Sequence, residues 1–311
     1  MPYKLLSYYA SPKEIRAGVL VDEMVYDAAR VGTNTGYADM MGVLNDWKKA
    51  KKSLSDGVKL IEAGKSRAKG IPLKKVKLAA PVPAPGVIFC AGANYKDHAD
   101  NMARKQGKQP DPDPHTQGLN PWHFQKAPRS CTVGPGAKVK LPTYSKKVDW
   151  ELELAAVIGI TAKNVPLEKA LTYVAGYTIA NDLSARDMTK RPHLPDDSGF
   201  KFDWVGQKIF DGACPMGPWI TPTSEIRDPQ KLDMKLWVDD QLMQNANTGL
   251  MLFNTAEQIA HLSKCVTLHP GDVVLTGTCA GTGAEREVFL KSGQTLKLWI
   301  QDIGELVHTV V

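Results

Sequence analysis

The sequence predicts a β-rich α+β fold, with a large sheet-built domain following a small N-terminal α+β domain. Three observations predict it. Short β-type runs broken by Gly and Pro dominate beyond residue 87, helix-period stretches precede residue 71, and a stiff connector, PVPAP at 81–85, lies between. The boundary falls at the connector, dividing the chain into 1–80 and 81–311.

Each element has its own signal. Residues 3–8, 16–21 and 23–27 read as short strands, and 37–47 and 53–63 carry apolar positions three and four apart, as helices on a small sheet do. Beyond the connector, strands are expected at 87–90, 137–140, 154–160, 174–180, 219–221, 234–238, 273–276 and 296–300. Helices are expected at 167–173 and 256–263, the second opened by Asn254 or Thr255 as N-cap with Glu257 just inside. Strands in such a majority argue for packed or rolled sheets. Residues 102–122, with Gln106, Gln109 and four prolines but no apolar periodicity, read as a long surface loop, either a lid or a tolerated insertion.

Composition removes several function classes. Apolar residues at 43% and charged residues at 23% describe a folded, soluble chain. The net charge of +6 is spread along the sequence, apart from Lys48, Lys49, Lys51 and Lys52, which sit among acids on a helix-like face; nucleic acid is not indicated. The five cysteines are irregularly spaced without a CxxC pair, so reduced thiols and a cytoplasmic location are expected. No apolar run suits a signal peptide or a membrane span.

The chemistry concentrates in a few segments. In DWELEL at 149–154, Glu151 and Glu153 alternate with apolar residues, so a strand would project both carboxylates to one face, opposite the leucines. Their mutual repulsion asks for a hard divalent cation, although a solvated polar face explains the hexapeptide equally well. GYTIANDLSARD at 176–187 supplies Asp182 at a strand end, where it would complete a three-carboxylate site or, more simply, form an Asx-turn. FCAGANYKDHADN at 89–101 leads from a strand through a glycine turn to Tyr95, a candidate substrate contact, and His98, a candidate general base. Lys208 could stabilise an enolate if drawn into a pocket. The loop LTGTCAGTG, with Gly277 and Thr278, offers backbone N–H groups and hydroxyls for a carboxylate; its glycine spacing is wrong for a dinucleotide.

In this order, GANYKDHA, FQKAPRSCTVGPG, VDWELELAAVIG, GYTIANDLSARD, QKIFDGACPMGPW, SKCVTLHPGDVVLTGTCAGTG and FLKSGQTLKLWIQDIGEL resemble the fumarylacetoacetate hydrolase family, from about residue 86 onward. The resemblance implies a rolled or sandwiched β-sheet catalytic domain, a homodimer, and Mg²⁺ or Mn²⁺ held by Glu151, Glu153 and Asp182. It also implies His98 as the catalytic histidine, Arg186 and Lys208 as substrate or oxyanion contacts, and Thr278 as a pocket hydroxyl. This chain departs from the family pattern where Asn101 stands in place of a Glu, Thr189 in place of a Gln, and Cys279 in place of a Pro. Asn can orient an imidazole but cannot take a proton.

The leading expectation is therefore metal-dependent hydrolysis of a C–C bond in an acylpyruvate-like or 2,4-dioxo acid, as formed in aromatic catabolism. Decarboxylation of a 2-oxo acid, or isomerisation or hydration of a dienoic acid, uses the same metal site. A non-catalytic ligand-binding protein is the third reading, supported by Asn101 and Thr189.

Overall fold

AAVIG and GYTIAN are apolar or small at nearly every position, which suits strands covered on both faces. The computed structural model, which describes residues 2–311, buries every residue of the strands Leu152–Ile158 and Val174–Asn181. They lie within a long mixed sheet whose strands run, by residue number, 71–72, 24–27, 14–21, 4–11, 214–222, 174–181, 152–158, 273–278, 88–91 and 123–126. Neighbours along this path are antiparallel except Val273–Thr278 and Ile88–Ala91, which run parallel.

A second sheet of five strands, ordered 241–247, 233–238, 295–300, 304–310 and 138–139, packs against the central strands. Burial alternates along Asp233–Val238 and Thr295–Ile300, as expected for strands with one face on the core and one toward solvent. Helix Thr255–Cys265 opens with a complete capping box, Asn254 accepting from the Glu257 N–H and Glu257 from the Asn254 N–H.

The N-terminal strands Lys4–Ser11, Glu14–Val21 and Met24–Asp27 join this architecture directly, because Leu5 pairs with Ile220 across adjacent strands. Val19, Trp47 and Leu54 share one apolar core with Leu154 and Val174. Helices Met40–Asn45 and Trp47–Glu62 occupy the stretches read as helical.

One element differs from the sequence reading. Residues 96–105, read as a strand exit running into a loop, form the helix Lys96–Lys105. None of its residues is fully buried, and its apolar face is only Ala99, Met102 and Ala103, too short a pattern to stand out in the sequence. Among the described residues, no helix is long and apolar enough to cross a membrane.

Candidate active site

Strand register brings the acids together. Leu152 lies opposite Asn181, which sets Glu151 and Glu153 on one strand beside Asp182, the residue that follows Val174–Asn181. One oxygen from each carboxylate lies within 4.8 Å of the others, and the three residues are only 5%, 1% and 0% exposed in sequence order. Glu151 and Glu153 converge as alternate residues of a strand should, and Leu152 and Leu154 are buried as well, because the second sheet and neighbouring strands cover both sides. The solvated-face alternative is thereby excluded.

Buried carboxylates need partners. Lys208 Nζ lies 2.8 Å from both Glu151 Oε2 and Asp182 Oδ2, and Lys126 Nζ lies 2.7 Å from Asp182 Oδ1. Arg186 donates to Glu151 Oε1 and, at 2.8 Å, to Asp149 Oδ2. Burial pushes Glu151 up, but Arg186 and Lys208 outweigh it and hold this carboxyl below its ordinary range. Glu153 behaves oppositely. Burial, then Asp182 and Glu151, push it well up, and among the described residues no side-chain cation pairs with it; its Oε2 accepts only the Gly277 N–H, at 2.5 Å.

Four carboxylates, Asp149, Glu151, Glu153 and Asp182, thus face three cations, Lys126, Arg186 and Lys208. Asp182 Oδ1, although near Lys126, has no hydrogen bond of good geometry. Among the described residues Glu153 is the one of these carboxylates left without a cation, and an all-oxygen donor set with such a member fits a hard divalent cation.

His98 lies on helix Lys96–Lys105, with Nδ1 against Glu285 Oε1. Glu285 Oε2 accepts from Asn101 Nδ2 at 3.1 Å and from the Gly281 N–H at 2.9 Å. Burial raises Glu285, but its bonds to His98 and Gly281 outweigh this and keep it below the usual carboxylate range. Asn101 therefore orients a carboxylate that arrives from a distant turn. His98, Glu151, Glu153, Arg186, Lys208 and Thr278 line one cavity of about 570 Å³, together with Gln106, Lys108 and Trp122 from the long loop and its end.

The remaining candidates divide. Thr278 lines the cavity, its hydroxyl donating to Leu152 O and accepting from Gln244 Nε2. Gly277 is not on the cavity wall but turns its N–H to Glu153; its φ of +95° and the 2.8 Å approach of Asn94 to an added Cβ both require glycine. Tyr95 does not join the site. Its side chain is fully buried, with the hydroxyl on Met234 Sδ at 3.3 Å, because it caps the helix from the core side. Lys208 and Arg186, expected as free oxyanion contacts, reach the cavity already engaged by carboxylates. Thr189 also lines it, and burial pushes the Cys279 thiol up, so that sulfur is no nucleophile.

Sequence reasoning missed Lys126, Gln244 and Glu285. Gln244 accepts the Leu152 N–H at 3.0 Å and donates to Thr278 and to Cys279 O at 2.8 Å, tying the start of the acidic strand to the glycine loop. The first could have been found as an isolated Lys in a β-type run; the other two carry no local signal.

The fumarylacetoacetate (FAA) hydrolase C-terminal family model matches residues 87–311. The chain belongs to the fumarylacetoacetate hydrolase family. It is 38% identical over 243 residues to the mitochondrial oxaloacetate tautomerase Fahd2a of Rattus norvegicus, covering 78% of this chain and 71% of that protein. The maleylpyruvate hydrolase of Sphingobium sp. SYK-6, solved with manganese(II) and pyruvate, shares 29% identity and superposes with a TM-score of 0.74, covering 99% of this chain and 98% of that one. The 2-hydroxyhepta-2,4-diene-1,7-dioate isomerase of Mycobacterium marinum shares 28% identity at a TM-score of 0.71, with coverage of 99% and 98%. Enzymes of this family thus include a hydrolase, an isomerase and a tautomerase, all named for oxo or hydroxy acids. For this chain they support an enzyme with a divalent-metal site built on the acidic triad.

Proposed function

We propose that this protein hydrolyses a C–C bond in an acylpyruvate or related 2,4-dioxo acid, with Mg²⁺ or Mn²⁺ held by Glu151, Glu153 and Asp182. The observation that carries this reading is His98, supported by Glu285, on the cavity that Glu151 and Glu153 line beside Asp182. It answers the objection raised by Asn101, because a carboxylate does support the imidazole after all.

When bound, the metal supplies Lewis acidity and a grip on the 2-oxo acid. The residues do the rest. With Nδ1–H donated to Glu285, His98 Nε2 carries the lone pair and takes a proton from water, which adds to the distal carbonyl. The bond between C3 and C4 breaks, C4 leaving as a carboxylic acid and C3 as the carbanion of pyruvate enolate. His98 returns its proton to C3, while Lys208 and Arg186 hold positive charge beside the enolate oxygen. The products are one acid and pyruvate, which balances the water consumed.

A tautomerase reading is favoured by one specific finding, the 38% identity to an oxaloacetate tautomerase. Proton transfer at C3 needs no water and uses the same His98. Incubating the Mn²⁺-loaded protein with acetylpyruvate and coupling pyruvate release to lactate dehydrogenase distinguishes the two. Pyruvate release that disappears in Glu153→Ala is the expected result. Exchange of the C3 proton in D₂O without any pyruvate would replace hydrolysis by tautomerisation.

A further inference from the structure

Beyond the charged end of the cavity its wall changes character. Trp122, Phe124 and Trp204 form a triangle of rings with centroids 5.7 Å apart for Trp122 and Phe124, 5.2 Å for Trp122 and Trp204, and 5.9 Å for Phe124 and Trp204. All three line the cavity, and Lys208 Nζ stands 4.6 Å from the Phe124 centroid, so the rings begin where the acidic cluster ends. Trp122 keeps 49% and Trp204 39% of its surface open, a large apolar area for side chains facing a polar site.

The backbone is shaped to admit this wall. Trp122 rests on Gly92, where an added Cβ would lie 1.5 Å from its ring, and the Gly92 N–H donates to Trp122 O at 3.0 Å. Ala99, Met102 and Ala103 line the same cavity with small or apolar side chains. Uncommitted positive charge is sparse there. Arg186 and Lys208 are engaged by carboxylates, and the only other cationic residue among those lining the cavity is Lys108, exposed on the long loop.

We propose that Trp122, Phe124 and Trp204 are a specificity subsite for a flat aromatic acyl group, so that the preferred substrate is an aroylpyruvate rather than a short-chain or carboxylate-tailed oxo acid. This rests on the reading that the cavity takes 2-oxo acids. An aromatic tail would stack on the rings and displace water from both surfaces. A carboxylate tail would lose hydration with only the exposed Lys108 to offset it.

Three probes with the same 2-oxo acid head and no 4-carbonyl to cleave test this: 2-oxo-4-phenylbutanoate, 2-oxopentanoate and 2-oxoglutarate. Each is titrated into the Mn²⁺-loaded protein by calorimetry and by tryptophan fluorescence. The phenyl probe is expected to bind at least about tenfold tighter than the other two and to quench the fluorescence. Trp122→Leu and Trp204→Leu should reduce that preference to about twofold or less, with Mn²⁺ affinity unchanged. If packing on Gly92 makes the first variant unfold, the second carries the test, since Trp204 lies on the outer helix Trp204–Lys208. Equal binding of the three, tighter binding of 2-oxoglutarate, or a preference untouched by Trp204→Leu overturns the subsite. Binding of Mn²⁺ but of none of the three acids overturns the 2-oxo acid reading itself, and the subsite with it.

Discussion

Glu285 shows how one residue can reach a candidate catalytic histidine while giving no sign of it in the sequence. It lies in GAEREV, a stretch with ordinary turn composition, and meets His98 across 187 positions of sequence. The triad was legible because its acids interrupt apolar strands, where a carboxylate has few structural reasons to be. Tyr95 misled because spacing cannot tell which way a helix-capping side chain turns. Glu285→Gln should lower kcat by about 10–100-fold, because an amide offsets the charge that His98 gains on taking a proton less well than a carboxylate does. An unchanged kcat in the folded variant would mean that Glu285 only packs the turn.

At the scale of elements, the helix Lys96–Lys105 and the loop beyond it form one side of the cavity. The loop is fastened by His115, which bonds Asp113 Oδ1 through Nδ1 and Glu257 Oε1 through Nε2, both at 2.8 Å. Its ring also tilts against Phe253 at 4.7 Å. Glu257 first, then Asp113, raise the His115 pKa above its ordinary value. The folded protein therefore binds this proton more tightly than the unfolded chain, so the fastening is complete below about pH 6.5 and is lost as pH rises through the raised value. Amide exchange over residues 106–122 should accelerate at pH 9 relative to pH 6 beyond the intrinsic chemical rate, and His115→Gln should abolish the difference. Equal protection at both pH values would show that the histidine holds nothing. The sequence could place this loop, through its prolines and missing periodicity, but not the fastening, because the bond to Glu257 is a tertiary contact.

At the scale of the whole molecule, one sheet joins the N-terminal strands to those beside the acidic cluster, and two histidines inside the structure bear on its tolerance of acid. His308 and His123 are both pushed down to about 4 by burial. His308 Nε2 faces Asn181 Nδ2 at 2.9 Å, and Asn181 Oδ1 accepts the Glu151 N–H, so protonating His308 strikes at the support of the acidic strand. Between about pH 6.5 and 4 the unfolded chain binds these protons and the folded one does not, so stability falls with acid, by at most about 3 kcal/mol per histidine. Urea midpoints at pH 7 and 4.5 measure the fall, and His308→Asn should make it shallower; an unchanged slope would exonerate that residue. Strand positions were readable because they depend on local pattern. The pairing of Leu5 with Ile220 was not, since register between distant strands is settled only by packing.

The lysines beneath the acidic cluster have a further consequence. A cradle that borrows most of its counter-charge from Lys126, Lys208 and Arg186 need not wait for an ion before the chain around it can collapse. Metal supply would then govern how many finished molecules are active, and leave untouched how many molecules are made.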